Sequence, residues 1–179
     1  MFKKILLIYF FISFFFPLYS NNIGSDTGYK IPRFVSTKSN NVNLRIGSST
    51  TYPMILKYTI KNIPLEVIDE YDAWRKIIDI EGNEGWIFKT LLKGDRFAII
   101  NQPYEAVTKI FNKPQGKKIG EIGKNNIVKI DKCLKEWCYV KHDLGKGWIN
   151  KINLWGVYKN EEINIPFYQY LIDQIWKIN

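Results

Sequence analysis

One block of this sequence is written twice. Trp74-Arg75-Lys76-Ile77-Ile78, a Gly-containing turn and Gly85-Trp86-Ile87 return as Trp137-Cys138-Tyr139-Val140-Lys141, a turn and Gly147-Trp148-Ile149. Each copy reads as a β-hairpin whose turn is rich in Gly and Asn or Asp, with a Gly-Trp pair opening the second strand. Two small β modules in tandem follow from the repeat. Short strands at intervals of roughly ten residues, with no sustained helical periodicity, favour small barrels over a mixed α/β enzyme.

The N-terminus has a separate purpose. Lys3 and Lys4 precede an apolar run from Ile5 to Leu18, and Tyr19-Ser20-Asn21-Asn22 gives a polar exit. A basic start, an apolar stretch of this length and a polar exit describe an export signal over residues 1–20, short of the ~20 apolar residues that span a bilayer comfortably. Leu18 and Ser20 fit the small-residue cleavage rule only loosely, so an uncleaved segment that tethers the chain to the membrane stays open. The expected setting is the periplasm or the cell exterior.

Residues 21–32, made of Asn, Gly, Ser, Asp and Thr with little to bury, read as a linker. Module one is expected over 33–100. Val42, Leu44 and Ile46 alternate with Asn43 and Arg45 as in a half-buried strand. Ser48 to Pro53 holds no apolar pair and is expected to arch over the surface before Met54-Ile55-Leu56 returns to the barrel. Leu65 to Ile68 is a further strand, followed by the Trp74 hairpin, and Phe88 to Leu92 closes the unit. Arg96 to Ile100 bridges into module two, expected over 101–162, where Ile127 to Ile130 corresponds to Leu65 to Ile68. In the tail, 163–179, Pro166 suits a first helical turn and Phe167, Leu171 and Ile175 share one face of a short amphipathic helix.

The residues Asn41-Val42-Asn43-Leu44-Arg45-Ile46-Gly47, Tyr52-Pro53, Pro64 to Ile68, Trp74-Arg75-Lys76-Ile77, Glu81 to Ile87 and Leu91-Leu92 together resemble the exported bacterial SH3 domain proteins, also written SH3b or SH3-like. Trp137 to Val140, Gly147-Trp148-Ile149 and Leu154 to Tyr158 look like the closing half of a tandem form. The resemblance implies a five-stranded, partly open barrel and a binding role in the cell envelope, often towards peptidoglycan or peptide segments. In module two Lys109-Ile110-Phe111-Asn112-Lys113 stands where module one has Asn43 to Gly47, so a site that uses the arginine belongs to module one alone.

An inventory of reactive groups gives no catalytic set. His142, the only histidine, sits beside Asp143 in a hairpin turn where a general base would be solvated and poorly held. One histidine and two cysteines do not make a metal site, and no cofactor motif is present. Glu161 and Glu162 are adjacent and do not face each other across a site. Cys133 and Cys138 bracket a turn, and in an oxidising compartment they are expected to form a disulfide, with two free buried thiols as the alternative.

Candidate ligand-binding residues are Arg45, Tyr52, Trp74 and Trp86. Trp74 alternates with Ile77, the better core residue, and so is placed towards a groove beneath the polar loop. Tyr52 supplies the opposite wall. Arg45 either pairs with an acidic ligand group or only tethers the loop. Trp86, after Gly85, reads as core or half-core packing. The net charge of +9 falls to +7 without Lys3 and Lys4 and suits anionic surfaces. The lysines are scattered, however, with no run of five or more, and a solubilising surface is the better account of them. Nucleic acid is disfavoured by the export signal. The expected function is a non-catalytic envelope protein that binds peptidoglycan or an envelope peptide, the alternative being a structural or regulatory subunit that packs against another envelope protein.

Overall fold

A computed structural model describes residues 22–102 and 107–166. The expected export signal and most of the expected tail helix lie outside the described residues. The chain forms two antiparallel β modules, each an SH3-like barrel. In module one the strands are β1 (Arg33–Thr37), β2 (Val42–Arg45), β3 (Met54–Tyr58), β4 (Pro64–Tyr71), β5 (Trp74–Ile78), β6 (Glu84–Phe88) and β7 (Leu92–Lys93). Module two repeats them as β8 (Phe97–Ile100), β9 (Val107–Phe111), β10 (Lys118–Gly123), β11 (Ile127–Cys133), β12 (Trp137–His142), β13 (Gly145–Asn150) and β14 (Leu154–Trp155). The strand orders, β3-β2-β6-β5-β4-β1-β7 and β10-β9-β13-β12-β11-β8-β14, are the same path traced twice. Each sheet has seven strands, two more than the five that the family resemblance implied. A leading strand and a two-residue closing strand after a 3-10 turn complete each unit.

Alternation sets the cores. Val42, Leu44, Leu65, Val67, Ile77 and Ile87 point inward and are fully buried in module one. Ile100, Val128, Val140 and Ile149 do the same in module two, with Leu154 buried beside them. Each such side chain contributes roughly 2 kcal/mol by leaving water. The Gly-Trp repeat has a packing cause. A Cβ on Gly85 would lie 2.6 Å from the carbonyl oxygen of Arg45, and one on Gly147 would lie 2.4 Å from Ile110 Cγ2. Only glycine lets β2 and β9 cross so close to the strands that carry Trp86 and Trp148.

Two sequence-based boundaries move. Phe97 to Ile100, expected as a bridge at the end of module one, is the first strand of module two: Ala98 pairs with Val128 and Ile99 with Ile127, as Val35 pairs with Leu65. An Arg-Phe pair therefore opens both modules, Arg33-Phe34 and Arg96-Phe97. Residues 22–31, expected as part of a linker, instead form a small hairpin closed by the Ile23–Lys30 bridge and packed onto module one. The reason is electrostatic. Glu70, buried between β4 and β5, accepts hydrogen bonds from the Thr27 and Asp26 amides (2.9 and 3.1 Å), the Thr27 hydroxyl (2.8 Å) and the Arg33 guanidinium (2.6 Å). The hairpin adds three hydrogen bonds to a buried carboxylate that the barrel itself pairs only with Arg33 and Arg75.

The modules touch through aromatic contacts. Phe34 packs edge-on against Trp155 at 5.2 Å and in a tilted arrangement against Tyr158 at 4.9 Å, and the Tyr158 hydroxyl donates to Glu66 Oε1 at 2.7 Å. Burial and that bond push the Tyr158 phenol well above its ordinary range.

Candidate functional site

Arg45 ends β2, and its register partners are Trp86 on one side and Met54 on the other. Trp86 in turn pairs with Lys76, so Arg45, Trp86 and Lys76 form one row across three strands. The arch over 46–53 begins immediately after Arg45. It is held by Ile46 N–H donating to Pro53 O at 3.1 Å and Tyr52 N–H donating to Ser49 O at 3.3 Å. Arg45 Nη1 donates to Tyr52 O at 2.7 Å, which fixes the arch to the strand. The Tyr52 ring lies against Gly47, where a Cβ would meet it at 2.5 Å. Any larger residue at position 47 would push the ring away.

Arg45, Tyr52 and Trp86 are thus brought together, and Trp74 is not. Trp74 pairs with Phe88 in the neighbouring row, packs edge-on against it at 5.4 Å and is buried, so it does not wall a groove beneath the arch. Trp86, half-buried, holds the place beside Arg45 that Trp74 was expected to hold. The sequence did not show this because β2 and β6 are distant in the chain.

Around this centre the surface is apolar. Ile46, Tyr52, Met54 and Ile55 are all exposed within ten residues, Tyr52 at 47%. A guanidinium with N–H groups left after its bond to Tyr52, beside a tryptophan and an exposed tyrosine, can pair a carboxylate or carbonyl while the rings cover an apolar stem. Lys76, one strand further, is ion-paired with Glu84. Module two lacks the arginine. Phe111 occupies the Arg45 position, opposite Trp148, and packs on Trp137 at 5.4 Å.

The other singled-out residues lie elsewhere. Cys133 and Cys138 are directly opposed on β11 and β12, fully buried and joined by a disulfide. His142 ends β12, and its Nδ1 accepts from the Leu144 amide at 3.3 Å. Among the described residues no group of three His, Cys, Asp or Glu side chains converges as a metal site would require.

This pair of barrels is SH3-like, and sequence comparison agrees. The model of the bacterial SH3 domain matches residues 38–94 and 119–156. The chain belongs to the bacterial SH3 domain family. No curated protein matches it significantly. Among solved structures it is similar to NlpC1 from Trichomonas vaginalis, at 13% identity and a TM-score of 0.32, over 74% of this chain and 48% of that one. It is also similar to an NlpC/P60 family protein from Bacillus cereus ATCC 10987, at 14% identity and a TM-score of 0.31, over 78% of this chain and 61% of that one. The chain thus spans less than two thirds of either protein.

Proposed function

We propose that this chain is a non-catalytic cell-envelope protein whose first module binds peptidoglycan or an envelope peptide at Arg45, Tyr52 and Trp86. The observation that carries the proposal is the union of a strand arginine, a half-buried tryptophan and an exposed tyrosine at one edge of module one, beside exposed Ile46, Met54 and Ile55. Peptide stems of the wall combine carboxylates with short apolar side chains. Arg45 supplies the cation for the former and the rings a surface for the latter. The Cys133–Cys138 disulfide supports an exported setting, because such bonds persist in oxidising compartments.

Co-sedimentation with purified sacculi tests the proposal. The exported chain is expected to pellet with sacculi and to be released by soluble wall fragments. If it stays in solution, and crosslinking in whole envelopes recovers a single protein at stoichiometric yield, the chain is a subunit of that protein's complex and the wall assignment is wrong.

A further inference from the structure

The outer face of module two differs from that of module one in charge and in the tip of its last hairpin. In module two, Lys129, Lys141 and Lys146 are direct register partners across β11, β12 and β13. In module one the same row reads Glu66, Ile78 and Glu84. Residues 107–166 carry twelve lysines against six carboxylates, whereas 22–102 carry eleven basic residues against nine acidic ones.

Like charges directly opposite on neighbouring strands destabilise a sheet. Module one demonstrates that the barrel does not need lysine here. Nor do these lysines protect an edge, because β11, β12 and β13 are interior strands of the sheet. Two carboxylates temper the row. Asp131, at the β11 bulge, pairs with Lys141 at 2.7 Å. Asp95, bound by Lys93 at 3.0 Å, also feels Lys129, and the two lysines hold its carboxyl below the ordinary range. Lys132, one row away, lies over Trp148 and Tyr139 at 5.3 and 5.9 Å and adds a further cation to the face.

The second observation is at the hairpin tip. Leu144, in the turn between β12 and β13, is 94% exposed and sits just beyond the Lys141–Lys146 pair. It lines a shallow cavity of about 160 Å³ together with Ile119, itself 55% exposed. The corresponding tip of module one is polar: Asp79 accepts from the Glu81 and Asn83 amides at 3.0 and 2.9 Å. Asp143 is the one acidic residue in the module-two turn. A soluble polyanion would use the lysines but has no use for an exposed leucine. A lipid surface uses both, phosphates meeting ammonium groups while the apolar tip enters the acyl boundary.

We infer that the β12–β13 hairpin of module two docks on a membrane surface rich in anionic phospholipid headgroups, with Lys129, Lys141 and Lys146 on the phosphates and Leu144 as the apolar tip. Lysines suit this because an ammonium is a compact point charge that needs no planar, bidentate partner. Docking of this kind uses residues of module two alone and none of the Arg45 arch of module one.

The test is sedimentation of the chain from Asn21 onward, which contains the whole described fold, with vesicles of phosphatidylcholine alone or with about one third phosphatidylglycerol. Binding is expected only to the anionic vesicles and is expected to fall steeply with added salt. Lys129→Glu/Lys141→Ile/Lys146→Glu, which installs the residues of module one, is expected to weaken binding about tenfold or more. A Lys129→Gln/Lys141→Gln/Lys146→Gln variant shows the same direction with a smaller change in charge, and an intact disulfide and near-UV spectrum report folding. Lys38→Glu/Lys57→Glu/Lys61→Gln makes the same total charge change on exposed positions of module one and is expected to leave binding within about twofold. Leu144→Ser is expected to weaken vesicle binding while retention on immobilised polyphosphate is unchanged. Equal losses in the two charge-changed variants would reduce the effect to net charge and overturn the inference. Retention on polyphosphate without vesicle binding, or indifference to Leu144→Ser, would assign the row to a soluble phosphate polymer and overturn it equally.

Discussion

Glu70 and Arg75 of module one occupy the positions that Cys133 and Cys138 occupy in module two. Each pair is directly opposed at the end of the fourth and fifth strands of its barrel, one step before the turn that leads to Trp74 or Trp137. Each is covered by a segment from outside the barrel. The hairpin over 22–31 bonds to Glu70, and Ile163 exchanges two backbone hydrogen bonds with Cys133 (2.9 and 3.1 Å). The same topological weak point is closed in one module by a buried ion pair with its hydrogen bonds, and in the other by a covalent bond.

Removing one partner of the ion pair is expected to be severe. Glu70→Ala removes the carboxylate at which Arg33 and Arg75 both direct N–H groups, leaving Arg75 with Asp26 and the Asp72 and Trp74 carbonyls and Arg33 with the Tyr29 ring, and breaking a buried pair of this kind costs about 3 kcal/mol. Urea unfolding should show that loss. Limited proteolysis should also show cleavage within residues 22–31 under conditions where the parent chain is resistant.

Acid should act on the same place. Burial by itself would raise the Glu70 carboxyl, but the bonds from Thr27, Arg33 and Asp26 outweigh it and hold the group at about 2, below its ordinary 4.5. A carboxyl depressed in the folded state contributes stability that is complete above its unfolded value and is lost as pH falls from about 4.5 through about 2, on the order of 3 kcal/mol in all. Urea midpoints measured between pH 7 and pH 2 are expected to drop mainly within that window. In Glu70→Gln the drop should be smaller, from a lower starting stability.

Reduction tests the second module. The bridge closes a short loop, so opening it is expected to cost about 2 kcal/mol, less than for a long-loop disulfide. Hydrogen exchange should localise the change: the Ile163 amide, bound to Cys133 O at 3.1 Å, is expected to exchange faster after reduction, while amides of β4 and β5 keep their protection.

What was legible in the sequence was local. The two Trp hairpins and their Gly-Trp pairs could be read because each sits on neighbouring strands and each glycine answers a steric demand. The replacement of Arg45 by Phe111 could be read because the flanking residues keep their register, and both residues do pair with the Gly-Trp tryptophan. Contacts made at long range were not legible. The first strands share only an Arg-Phe pair, which gave too little to extend the repeat back to Phe97. The segment 22–31 has little to bury, and it is docked by hydrogen bonds to a glutamate more than forty residues away. Trp86 could not be placed beside Arg45 from alternation, because alternation assigns a face and leaves the neighbouring strand unspecified.

Whether ligand binding belongs to module one is decided by comparing Tyr52→Ala with Trp137→Ala in sacculus co-sedimentation, after circular dichroism shows both to be folded. Tyr52→Ala removes an exposed side chain that packs on Gly47 beside Arg45, and loss of a central anchor costs about 2 kcal/mol or more, roughly thirtyfold in affinity. Trp137→Ala is expected to leave binding within about twofold, since Trp137 packs on Phe111 in the module that lacks the arginine. Binding abolished by Trp137→Ala and untouched by Tyr52→Ala would place the site in module two instead.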